Sequence, residues 1–181
     1  MDKLTCAICN EQIDLKPPKG SHEKRGSKAV HDHYQKCLAR WFEKQDFKVI
    51  VVEKGGMPSR EGWAAPDIFL LKGRQLAKVV EVISFDPYED DKNPNEPTLV
   101  VNKCRVIKEY YDPPEIIVFE PVRFLDENRL PKTKAGYKKR LHLSQEPTSY
   151  RQIEAIYQQR WKEQGLEVNF WTEDDIKKPL V

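Results

Sequence analysis

Asp67 and Glu81 are the residues of this 181-residue chain whose types and spacing carry the most chemistry. Pro66-Asp67 opens one apolar run and Glu81 sits in the next, with 13 residues between them. That interval contains the turn sequence Lys72-Gly73-Arg74-Gln75, so the two runs read as a hairpin. Two carboxylates on paired strands make a seat for Mg²⁺ or Mn²⁺, hard cations that prefer oxygen ligands. A cation so held neutralises charge on a scissile phosphate and activates water, which points to phosphodiester hydrolysis. Strand parity puts Ala77, Val79, Glu81, Ile83 and Phe85 on one face, where Glu81 is the one charged member. A carboxylate among apolar neighbours is costly to desolvate unless something pairs with it, and a metal would do so. Glu53, at the end of the preceding strand, and Glu43, on the first helix, are weaker additions to this ligand set.

A lysine belongs near such a pair. In the segment 99–111, Leu99, Lys103, Val106, Ile107 and Tyr110 share a helical face, which places Lys103 on the stripe that should pack inward. It reads either as a partner of the carboxylates or as a lysine whose stem covers apolar surface. Lys108 falls with Val101 and Arg105 on a solvent side, and Lys78 lies on the strand face opposite Glu81.

A second constellation lies near the start of the sequence. Cys6-x-x-Cys9 presents two thiolates from a tight knuckle, and His33-x-x-x-Cys37 sets an imidazole and a thiolate one helical turn apart. Together Cys6, Cys9, His33 and Cys37 make a tetrahedral site for structural Zn²⁺, closed to substrate. His31 is the alternative imidazole, and a free Cys6/Cys9 pair with a core Cys37 is the alternative to any metal. The group resembles small Cys-Cys-His-Cys fingers, with a longer insert from Asn10 to Asp32. Residues 1–30 are too polar to bury much, and a metal would supply the missing staple.

Composition bounds the rest. Hydrophobic residues are 39% and charged residues 33%, as in a water-soluble globular protein. No stretch is long and apolar enough for a membrane span, and no signal-peptide pattern opens the chain. A cytoplasmic, reducing setting is expected, with the cysteines as thiols or metal ligands. Net charge is +3 over residues 1–45, −3 over 46–124 and +2 over 125–181. An acidic centre between basic ends suits an enzyme that holds a cation centrally and a phosphate backbone peripherally. Lys24, Arg25 and Lys28 form one basic group, with Lys19 near them. Lys132, Lys134, Lys138, Lys139 and Arg140 form the other. Both are expected to contact DNA, or else are solvated loops; Trp63 and Tyr137 read either as base-stacking or as core residues.

The elements that must position these groups follow from periodicity. Residues 30–45 read as a helix, 47–53 as a central strand, 67–71 and 76–85 as a hairpin, and 99–111 as a helix. Residues 115–120 form a fourth strand, 129–140 a basic loop, 150–164 a helix closed by Gly165, and 168–171 a last strand. A mixed sheet flanked by helices results. It divides into a zinc element (1–37), a core (30–124) that shares a helix with it, and a C-terminal part (125–181).

Within residues 38–121 three segments carry a family resemblance: Val80-Glu81-Val82-Ile83-Ser84, a lysine-bearing helix ending in tyrosine, and Pro114-Glu115-Ile116-Ile117-Val118-Phe119-Glu120-Pro121. With the Pro-Asp strand, they resemble the Uma-type putative restriction endonucleases of the PD-(D/E)XK superfamily. The resemblance implies a metal-dependent DNA endonuclease of restriction, mobile-element or repair type. It also implies catalytic roles for Asp67, Glu81 and Lys103, the last in place of a lysine two after the glutamate, where this chain has Ile83. The carbonyl of Val82 would join the metal ligands. Symmetric double-strand cutting would call for a homodimer. The same Ile83 supports the rival expectation, a catalytically inactive zinc-stabilised module that binds DNA or protein on a nuclease-like fold.

Overall fold

The computed structural model describes residues 3–15, 27–52, 65–84, 99–128 and 130–176. Strands β1 (Lys3–Thr5) and β2 (Gln12–Asp14) form an antiparallel hairpin that the sequence pattern did not announce. Three-residue strands are too short to show alternation, although Leu4, Ile13 and Leu15 are buried. Helix α1 (Ser27–Glu43) buries Val30, Tyr34, Cys37, Leu38 and Phe42 at helical spacing. It stops where Asp46 turns to a φ of 61° and the Phe47 N–H bonds back to the Phe42 carbonyl.

A five-stranded sheet follows, its spatial order equal to its chain order: β3 (Lys48–Val51), β4 (Ile68–Lys72), β5 (Gln75–Val82), β6 (Ile116–Phe119) and β7 (Asn169–Trp171). The first three strands are antiparallel, and β5, β6 and β7 are parallel. The β4–β5 loop places Gly73 at a φ of 63°, a conformation that glycine adopts without strain. Strand β3 is an edge, not the central strand expected from the run Val49-Ile50-Val51-Val52; Ile50 is 45% exposed. A meander laid down in chain order makes its first strand an edge whatever its side chains. The central, two-sided positions belong to β5 and β6, whose Ile116-Ile117-Val118-Phe119 is buried throughout.

Helix α2 (Leu99–Tyr111) links β5 to β6. Its inward stripe is Val100, Val101, Cys104 and Ile107, about a quarter turn from the expected one, and Tyr110 is exposed. The connection from β6 to β7 is helical. It begins with α3 (Val122–Asn128), and the segment 129–140, expected as a basic loop, is instead α4 (Leu130–Arg140). Helix α4 buries only Leu130 and Tyr137, too few apolar anchors to produce a helical pattern against so many lysines. Pro131 sits in its first turn, where a missing N–H costs nothing.

Helix α5 (Tyr150–Glu163) ends in a Schellman arrangement. Gly165, at a φ of 80°, donates to Lys162, and Leu166 donates to Trp161. A last turn, α6 (Glu173–Ile176), follows β7. Among the described residues no helix is long and apolar enough to cross a membrane.

Acids are buried beside this second half. Glu120 and Glu154 are both buried, and burial pushes the Glu154 carboxyl up, an effect that Glu120 partly offsets. Glu173 accepts from the Tyr34 hydroxyl at 3.2 Å and the Val122 N–H at 3.1 Å, and burial raises it too.

Candidate metal centre and carboxylate site

The knuckle Cys6–Cys9 is tied by the Cys6 N–H to the Glu11 carbonyl at 2.8 Å and by the Asn10 N–H to the Cys6 carbonyl at 2.9 Å. Asn10 turns the chain at a φ of 63°, a region asparagine tolerates. This turn aims two thiols at α1. Cys9 Sγ lies 3.4 Å from Cys37 Sγ, and Cys6 Sγ lies 3.9 Å from it. His33 Nε2 is 3.3 Å from both Cys9 Sγ and Cys37 Sγ. A zinc tetrahedron with sulfur at about 2.3 Å has sulfur–sulfur edges of about 3.8 Å, so the four donors fit that ion. Among the described residues this is the one group of three or more such donors whose atoms all lie within 4.8 Å of one another. Cys6 is held down to about 4, chiefly by a hydrogen bond from the Cys37 thiol, with backbone groups of Cys9 and Ile8 helping. Cys37 is pushed up, first by giving that bond and then by burial. The proton held between them is what a divalent cation displaces when thiols become ligands. Cys104, the remaining cysteine, is a buried thiol in α2, raised to about 12 by burial and then by the charge of Glu81.

The carboxylates are placed by the β4–β5 hairpin. Ile68 pairs with Val80, so continuing that register by one residue sets Asp67 level with Glu81. The Val82 N–H donates to Asp67 Oδ2 at 2.8 Å, joining the aspartate to the glutamate strand directly. Asp67 is fully buried and Glu81 is buried. From α2, the Lys103 ammonium forms an ion pair with Glu81 Oε1. Both side chains are largely shielded from solvent, which strengthens the attraction.

Two partners of Asp67 come from α1 and were not foreseen. His31 Nε2 lies 3.1 Å from Asp67 Oδ2, and the Gln35 amide donates to the Asp67 carbonyl at 3.0 Å and to Val52 at 3.3 Å. The other His31 nitrogen lies 3.2 Å from Asp32. The signal was present: His31 and Gln35 repeat the i, i+4 spacing of His33 and Cys37, two residues out of phase and so on the far side of the helix.

The remaining sequence-predicted residues are dispersed. Glu43 is exposed at the end of α1, and Lys78 pairs with Glu115, away from Glu81. Lys28 pairs with Asp32 and Lys134 with Glu146, while Lys132, Lys138 and Lys139 are exposed on α4. Arg140 lies 5.1 Å over the ring of Tyr137, which is fully buried against Tyr150, so Tyr137 offers no face for a base. Lys19, Lys24, Arg25, Glu53 and Trp63 fall outside the described residues. Compared with protein-family models, with curated proteins and with solved structures, the chain gives no match.

Proposed function

We propose that this chain is a metal-dependent DNA endonuclease on a PD-(D/E)XK-type core, stabilised by zinc at Cys6, Cys9, His33 and Cys37. The single observation that carries the proposal is the Lys103–Glu81 ion pair beside Asp67. It supplies from a helix the ammonium that Ile83 does not provide. The succession α1-β3-β4-β5-α2-β6 supports it, being the helix, three-strand meander, helix and parallel strand of that core. So does the placement of the acids at the start of the second core strand and within the third.

Asp67 and Glu81, with the Val82 carbonyl, would hold Mg²⁺ or Mn²⁺, which when bound supplies charge neutralisation and an activated water. Lys103 would hold negative charge developing on the attacked phosphate, a role for a fixed cation in a partly desolvated site. Val82 and His31 fix the plane of the Asp67 carboxylate. The exposed lysines of α4 would neutralise phosphates without reading sequence, giving salt-sensitive affinity. A homodimer would be needed to cut both strands symmetrically.

The second reading is an inactive zinc-stabilised binding module, favoured by Ile83 and by a Lys103–Glu81 pair that serves equally well as a buried structural bridge. Nicking of supercoiled plasmid in Mg²⁺ or Mn²⁺ separates the two. Nuclease action predicts cleavage that falls at least ~100-fold in Asp67→Ala and Glu81→Ala, by analogy with loss of essential catalytic groups. Cleavage that survives both substitutions rejects this site. Salt-sensitive DNA binding with no cleavage by the unaltered chain selects the second reading.

A further inference from the structure

Helix α1 is gripped on two sides. His33 and Cys37 face the knuckle thiols, while His31 and Gln35 face Asp67. Each pair spans one helical turn, and the pairs are offset by two residues, about 200° around the axis. The Asp67 carboxylate oxygen that takes the Val82 N–H also takes His31 Nε2, so its orientation depends on two elements at once. The Asp67 backbone is held likewise, its carbonyl accepting from Gln35 and from the Val52 N–H at 2.9 Å. A small rotation or slide of α1 would break both contacts to Asp67 together. What resists such movement on the far side is the Cys/His cluster, whose four donors come from two separate segments.

We infer that His31 and Gln35 are positioning residues for Asp67, and that the metal-filled Cys/His cluster holds them in place through α1. This rests on the cation seat proposed above. Groups that orient a metal ligand without touching the metal commonly alter its affinity 10- to 100-fold. Zinc at one site thereby sets the quality of the other, although the two share no ligand.

The test is Mn²⁺ titration of the zinc-loaded full chain, read by loss of the free-ion paramagnetic resonance signal. Asp67→Ala should abolish tight binding. His31→Ala should weaken Mn²⁺ binding ~10-fold or more, whereas His31→Gln, which keeps an N–H donor at similar reach, should stay within ~3-fold of the unaltered chain. Cys9→Ser should weaken Mn²⁺ binding in the same direction, with α1 still helical by circular dichroism. Recovery in His31→Gln is a readout that general loosening would not give. If Asp67→Ala loses Mn²⁺ and His31→Ala binds it as the unaltered chain does, the positioning role is overturned and the seat stands. Wild-type Mn²⁺ affinity in Cys9→Ser overturns the role of the cluster. Equal Mn²⁺ affinity in the unaltered chain and Asp67→Ala removes the seat and this inference with it.

Discussion

The Cys/His cluster and the carboxylate pair lie on opposite sides of one helix, and they balance charge in different ways. In the cluster, four donors lie within 4.8 Å of one another, and a divalent metal would take the place of the protons that the Cys9 and Cys37 thiols otherwise keep. At the carboxylates the protein already supplies the balance: a lysine on Glu81, and a backbone N–H and an imidazole on Asp67. The cluster could hold a metal ion permanently. The proposed carboxylate seat, balanced by the protein itself, would be filled and emptied.

The contrast breaks if the two sites respond alike to losing their ions. The largest effect should follow Cys37→Ser or zinc-selective chelation, since the cluster fastens β1, β2 and α1 together. A loss of about 4 kcal/mol or more is expected in denaturant melts, of the size seen when structural metals are removed. Withdrawing Mg²⁺ should leave the same melts unchanged.

Next in size is Lys103→Met, which strands a buried glutamate and should cost about 3 kcal/mol. The double variant Glu81→Leu/Lys103→Met should recover most of that loss, because two apolar groups replace a desolvated pair. A double variant as unstable as the single one would mean that Lys103 stabilises through its stem and not its charge.

The smallest effect sharpens the comparison by adding a buried acid that lies outside both sites. Burial raises the Glu154 carboxyl above its ordinary 4.5, so it favours folding most when protonated. Its contribution is complete below about pH 4.5 and declines as pH rises through the elevated native value. Glu154→Gln should therefore melt on the order of 1 kcal/mol more stably at neutral pH, roughly 2–4 °C for a chain of this size. That advantage should vanish near pH 4 in a pH series of thermal melts, as the native carboxyl becomes protonated. An advantage that persists at pH 4 would point to packing instead of charge.

How much of this was legible in the sequence depended on whether the deciding interaction was local. The cluster was readable because Cys6-x-x-Cys9 and His33-x-x-x-Cys37 are short-range patterns whose geometry is set by a turn and a helix. The choice of His33 over His31 followed from helical phase alone. The hairpin was equally local, but the turn at Gly73 alone would set Asp67 opposite Val80; a register shift between Leu70 and Leu71 brings it level with Glu81. Lys103 was placed near Glu81 by phase even though the helix face was misjudged, because a lysine's length tolerates a quarter-turn error.

The failures concern what only the assembled molecule decides. The sheet position of β3 is set by strand order, which its own apolar residues do not encode. Helix α4 is held by two anchors among many charges, so its pattern gives no amphipathic signal. Buried acids such as Glu120 and Glu154 look like surface residues in the sequence, because their burial is decided by how the elements pack. His31 and Gln35 were hidden by the stronger signal of their neighbours on the same helix.

Leu4, Cys6, Ile13 and Leu15 belong to the same apolar cluster as Tyr34, Leu38 and Phe42. The first segment is consequently no detachable ornament. A shortened polypeptide beginning at Ser27 would bare oily surface along α1 and should clump on expression.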